Sequence, residues 1–298
     1  MHIMICPGSK AEGGRTRRNW RTLIGRIAGA VLVWLSLPAL AAPDAPAMKP
    51  PEGYRLVWAD EFDHDGLPDA KRWVWDTFRN RDGWFNNEKQ YYAADRAQNA
   101  VVRDGRLVIT ARREALREAP DWGGQSYTSA RLITRGKADW TYGYFEISAR
   151  MPCGRGTWPA LWTLGSGGRW PDDGELDIME HMGQRPEQVS SAVHVRAGHA
   201  GQAVTGMRPL ATACTQFHRY QMHWTPEGVT FGVDGFAHLR FPRLSSGRDA
   251  WPFDQPQFLV VNLAIGGDLG GPVDDRIFPV SMEVEYVRVW QRSSADRR

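Results

Sequence analysis

The sequence predicts an all-β protein built as a two-sheet antiparallel sandwich, and three features point to it. Its apolar segments are short and alternate with period two, and no long helical period persists. Its 31 glycines and 19 prolines punctuate the chain at strand-length intervals. One run, FLVVNLAI (Phe258 to Ile265), is apolar on both faces except at Asn262, the pattern of a central strand covered on both sides. These features argue against an α/β fold.

The N-terminal stretch stands apart from the rest. A basic segment, RTRRNWR (Arg15 to Arg21), leads into IAGAVLVWLSLPAL (Ile27 to Leu40) and then small residues ending at Ala42. That order is expected of a secretory signal over residues 1–41, which places the mature protein outside the cytoplasm, secreted or periplasmic. The apolar stretch is short for a membrane span and Pro38 interrupts it. Residues 1–41 hold six of the 37 basic residues and one of the 34 acidic ones. The remainder carries 31 basic against 33 acidic groups, so the formal charge of +3 belongs to the leader. A nearly neutral body with no basic run excludes nucleic acid as the expected partner.

A Pro/Ala-rich linker is expected over residues 42–53, one domain over 54–292 and a polar tail over 293–298. Within the domain, LVITARR (Leu107 to Arg113) and GYFEISARM (Gly143 to Met151) alternate as strands. FGVDGFAHLRF (Phe231 to Phe241) reads as a hairpin turning at Asp234-Gly235. Cys153 and Cys214 remain as an even pair once the leader is gone. They are either two free thiols or, as expected in an exported protein, a disulfide. Twelve of the 14 tryptophans follow residue 41, more than a core needs. Trp58, Trp224 and Trp290 sit in strand-like runs and read as packing. Trp158, Trp162 and Trp170 crowd the segment GRGTWPALWTLGSGGRWPDDG, which leads directly to a group of acids. Flat aromatic faces beside carboxylates suit a sugar, whose C–H faces stack while its hydroxyls seek polar partners.

Those acids lie in GELDIMEHMG (Gly174 to Gly183), at Glu175, Asp177 and Glu180. In a regular strand the first two share a face and Glu180 points to the other. One extra residue, a β-bulge at Ile178-Met179, reverses the parity and brings all three to one surface. A row of acids along one strand repels itself, so its proton affinities are expected to be used. A metal site is the rival reading, though hard cations draw oxygens from flexible loops rather than a strand ladder. A solvated acidic edge is the other, and the interleaved apolar residues argue against it.

Two carboxyl groups about 5 to 5.5 Å apart serve glycoside hydrolysis with retention of configuration. Glu175 then acts as nucleophile and Glu180 as acid/base, with Asp177 between them orienting the nucleophile through a shared proton. This chemistry requires no cofactor.

The same residues resemble glycoside hydrolase family 16, and within it the bacterial laminarinases, which are endo-β-1,3-glucanases. The segment GELDIME is similar to that family's E-x-D-x-x-E signature. Further segments in order are WADEFD (58–63), NNEKQYY (86–92), YTSARLITRGK (127–137), YGYFEISARMPCGRGTWPALW (142–162), FHRYQMHWTPEGVTFGVDG (217–235), FLVVNLAIGG (258–267) and EYVRVWQ (285–291).

The resemblance implies a β-jelly-roll of the concanavalin A-like kind with a concave substrate cleft. It implies sugar contacts from Asn87, Arg131, Trp158, Trp162, Trp170 and His194. It also implies a structural calcium held by Glu61, the carbonyl of Gly105 and Glu285, where the family usually has Asp at the last position. Leu269 in GGDLGG stands where many relatives have Trp. The expected activity is secreted, monomeric, endo-acting hydrolysis of β-1,3-linked or mixed β-1,3/1,4-glucan. A galactan hydrolase of the agarase or carrageenase type and a non-catalytic β-glucan-binding protein are the alternatives.

Overall fold

The computed structural model describes residues 47–198 and 203–293. The expected leader, residues 42–46 of the linker and residues 294–298 of the tail lie outside the described residues. In chain order the strands are β1 (Tyr54–Asp60), β2 (Val74–Trp75), β3 (Gln90–Tyr92), β4 (Ala100–Arg103), β5 (Arg106–Ala111), β6 (Tyr127–Ser129), β7 (Arg131–Ile133), β8 (Gly143–Arg150) and β9 (Thr157–Gly165). There follow β10 (Glu175–His181), β11 (Gln188–His194), β12 (Val204–Pro209), β13 (His218–Thr225), β14 (Gly228–Val233), β15 (Phe236–Pro242), β16 (Gln257–Ile265) and β17 (Val280–Arg292). A single turn of α-helix, α1 (Gly267–Gly270), and two 3₁₀ turns complete the described elements. No helix among the described residues is long and apolar enough to cross a membrane.

The strands form the expected sandwich. One sheet runs β15-β14-β13-β8-β17-β5-β4, with β1 also paired to β17. The other runs β12-β11-β10-β9-β16-β7-β2. Pairing within both sheets is antiparallel, and the separate pair β3–β6 is the parallel exception. FLVVNLAI is the central strand that its composition predicts. It lies between β9 and β7, and every residue of β16 is buried. Leu259, Val261, Leu263 and Ile265 point between the sheets and join the main core. Each such side chain contributes roughly 1.5–3 kcal/mol by leaving water. Phe258 and Val260 point to the other face, where they form a second apolar cluster with Ile133, Trp162 and Leu164. That face carries the site described below.

The predicted hairpin turns where its sequence says. Asp234 and Gly235 take φ of 53° and 89°, the left-handed pair that a two-residue connection of β14 to β15 requires. The described part of the expected linker is hydrogen-bonded to the domain at its start. Met48 N–H donates to the Gly235 carbonyl at 2.6 Å and Gln221 donates to the Met48 carbonyl at 3.3 Å. Met48 is therefore held against the hairpin, whose turn presents a carbonyl that the incoming chain satisfies. Trp224 is fully buried, Trp58 packs edge-on against Trp73 and Trp140, and Trp290 packs against Tyr144, so these three are structural.

Candidate active site

Strand β10 is bulged where the spacing of its acids demands. Against β9, Glu175 faces Leu164, Asp177 faces Trp162 and Glu180 faces Ala160. Against β11 the same three face His194, Ala192 and Ser190. The partners step by two on both neighbours while the acids step by two and then three. One residue is absorbed between Asp177 and Glu180, and all three acids share a face. Ile178 and Met179, adjacent in sequence, both enter the core on the opposite side.

Indole N–H groups fix the two glutamates. Trp170 Nε1 donates to Glu175 Oε2 at 2.8 Å, and Trp158 Nε1 donates to Glu180 Oε1 at 3.0 Å. His194, opposite Glu175 on β11, places Nε2 3.1 Å from Asp177 Oδ2 and 3.9 Å from Glu175 Oε1. One ligand atom from each of Glu175, Asp177 and His194 lies within 4.8 Å of the others.

This crowding retains protons. Burial, reinforced by the charge of Glu175 and opposed by the Trp158 hydrogen bond, pushes Glu180 from 4.5 up to about 7. Burial and then Glu175 hold Asp177 well above the usual carboxylate range. Burial alone would lower His194, but the hydrogen bond and charge of Asp177, with Glu175 and Glu180 adding theirs, raise it to about 9. The Asp177 and His194 shifts describe one tightly held proton shared across a short contact.

Moving across the sheet from β10, the next polar side chains form a chain of hydrogen bonds. Trp162 Nε1 donates to Asn262 Oδ1 at 2.7 Å, Asn262 Nδ2 donates to Tyr92 Oη at 3.0 Å, and Tyr92 lies 3.4 Å from Glu88 Oε2. Gln90 donates to the same Glu88 oxygen at 2.7 Å, and burial raises the Glu88 pKa. Arg131, opposite Asn262 on β7, is about nine-tenths buried, with Nε 2.8 Å from Asp76 Oδ2. Its guanidinium lies 4.8 Å from the Trp162 ring and 5.1 Å from the Trp84 ring. Asn87 is exposed in a left-handed conformation with φ of 58°, and its amide donates to Asp268 at 2.7 Å.

The structure thus brings together Glu175, Asp177, Glu180, Trp158, Trp170 and His194, with Trp162 and Arg131 one to three strands away. It refines the tryptophan roles. Trp158 is 8% exposed and Trp170 is 54% exposed, and each donates its N–H to one of the two glutamates. Sequence reasoning missed Asp76, Trp84, Glu88 and Tyr92. For Glu88 and Tyr92 the signal was their place in NNEKQYY; Asp76 and Trp84 carried none.

Two expected sites lie elsewhere. Cys153 and Cys214 are joined by a disulfide with Cα atoms 5.6 Å apart. Two of the three expected calcium ligands hold other partners. Both oxygens of Glu61 accept from Arg288 at 2.8 Å, and Glu285 accepts from Ser148 at 2.7 Å. A guanidinium stands where the divalent cation would draw its charge, so as arranged these residues do not fit calcium.

An acid held protonated near neutrality, paired with a second glutamate on the same face of a sheet lined by indoles, defines a glycoside hydrolase of the β-sandwich type. Residues 87–287 match the model for glycosyl hydrolases family 16, and the chain belongs to that family. A β-glucanase of Rhodothermus marinus is 47% identical over 253 residues, spanning 80% of this chain and 85% of that protein. The crystal structure of SCLam, described as a non-specific endo-β-1,3(4)-glucanase, superposes with a TM-score of 0.80 at 47% identity, covering 84% of this chain and 96% of that one. A variant of SCLam, also at TM-score 0.80 and 47% identity, covers 84% of this chain and all of its own, and holds 1,3-β-D-cellobiosyl-glucose at its active site.

Proposed function

We propose that this protein is a retaining, endo-acting hydrolase of β-1,3-linked or mixed β-1,3/1,4-glucan. The single observation that carries the reading is the bulge in β10, which sets Glu175 and Glu180 on one face with Asp177 between them. Glu175 is the nucleophile. Its carboxylate attacks the anomeric carbon while Glu180 gives its proton to the departing glycosidic oxygen, leaving a glycosyl ester on Glu175.

Forming that ester removes the charge that helped to keep Glu180 protonated. Glu180 becomes more acidic and takes a proton from water, which attacks the same carbon and frees Glu175. Asp177 and His194 hold a shared proton beside the nucleophile and orient it. Trp170 and Trp158 keep the two carboxylates apart and aimed. The glucan preference is supported by the names of the relatives and by the oligosaccharide bound to the SCLam variant. The leader-like sequence of residues 1–41 and the internal disulfide support export.

Laminarin, lichenan, curdlan, agarose and carrageenan together test the proposal. Reducing sugar is expected from laminarin, and Glu175→Gln should lower that rate by at least about a thousandfold. Release from agarose or carrageenan instead would replace the glucan reading. Tight binding with no release from any polymer would overturn the enzymatic one.

A further inference from the structure

The bulge that turns Glu180 creates a problem elsewhere. Ile178 and Met179 together oppose Ser191 alone on β11, so the ladder is interrupted at the Ile178 carbonyl. Ser191 points between the sheets, opposite in sense to its neighbours Ser190 and Ala192, and is fully buried. Its hydroxyl donates to the Ile178 carbonyl at 2.8 Å. Having one proton to give, that hydroxyl then accepts from His238, whose Nε2 lies 3.0 Å away.

His238 comes from the other sheet, and it is itself the extra residue of a second bulge. Phe231 pairs with Leu239 and Gly232 pairs with Ala237, so His238 has no opposite number on β14. It reaches Ser191 past β12, where the residue paired with Ser191 is Gly206. A Cβ at Gly206 would meet Leu239 Cβ at 2.6 Å, so only glycine lets β15 come this close. The His238 ring is neutral in the working range, since burial and then Arg208 lower it to about 4. With Nε2 carrying the proton, Nδ1 is left buried without a partner.

We propose that Ser191 and His238 are positioning residues for the reaction. The relay from His238 through Ser191 to the Ile178 carbonyl pins the bulge and so sets Glu180 against Glu175. The inference rests on the acid/base role proposed for Glu180, and its test separates the two.

In Ser191→Ala, kcat on laminarin should fall about 10- to 100-fold, the cost of a misplaced catalytic group, with KM within about twofold. The alkaline limb of its pH profile should move. The first step with an aryl glycoside bearing an activated leaving group, which needs no proton, should keep its rate. His238→Leu should reproduce this pattern more weakly and His238→Gln, which retains an N–H donor, should restore it. The histidine pair serves as the test if Ser191→Ala does not fold. An unchanged laminarin kcat and alkaline limb in folded Ser191→Ala or His238→Leu would overturn the inference alone. Equal losses on laminarin and on the aryl glycoside would also overturn it, by showing a general structural effect. A wild-type protein inactive on every glucan would remove the functional reading and this inference with it.

Discussion

Glu180 is the residue on which acidity, rate and stability meet. Its pKa near 7 makes it a proton donor at neutral pH, and the donor form is lost as pH rises. The alkaline limb of kcat/KM on laminarin should therefore inflect near pH 7, as a pH–rate series would read. The same shift has a cost in stability. Burial raises the folded-state pKa above the ordinary 4.5, so the stability present below about pH 4.5 is lost as pH rises through 7. Glu180→Gln keeps an oxygen for Trp158 and removes the charge. Calorimetry should find its Tm several degrees above wild type at pH 8, with the gap closing toward pH 4, since each kcal/mol moves Tm by about 2–4 °C in a domain of this size.

Strand β10 states the same point at the level of an element. A regular strand would place either Ile178 or Met179 on the face of the acids, whereas the bulge sends both into the core at no more than 1% exposure. Ile178→Ala and Met179→Ala should each cost about 2–5 kcal/mol in denaturant unfolding. A loss below about 0.5 kcal/mol at either position would contradict the bulge. This element was legible in the sequence because its evidence is local: three acids, their spacing and the apolar residues between them admit few geometries. Its supports were not legible. Asp76 is 55 residues from Arg131 and His238 is 47 from Ser191, and a single sequence does not register such pairings. The bond from Trp158 to Glu180 was not legible for a related reason. Composition announces an aromatic face, while the N–H that holds Glu180 depends on register with a strand 22 residues away.

For the whole molecule, the two-sheet sandwich was legible from strand length and alternation, and the central strand from its two apolar faces. The docking of Met48 was hidden because a Pro/Ala-rich composition reads as a spacer whether or not a carbonyl awaits it. The calcium expectation came from resemblance alone, and the pairing of Arg288 with Glu61, 227 residues apart, was not legible in the sequence. Millimolar calcium, added after a chelator, should leave Tm unchanged within about 1 °C; a rise of 5 °C or more would show that Glu61 exchanges its guanidinium for the metal.

The guanidinium of Arg131 lies 5.1 Å from the Trp84 ring and 4.8 Å from the Trp162 ring. A cation held over an indole face interacts with its π-electrons, so the emission of these two rings is expected to depend on how Arg131 sits. An oligosaccharide that settles along this side of the sheet and nudges that charge announces itself as a spectral change, which Trp162→Phe should diminish. Intrinsic fluorescence is then the expected label-free readout of substrate on this part of the sheet.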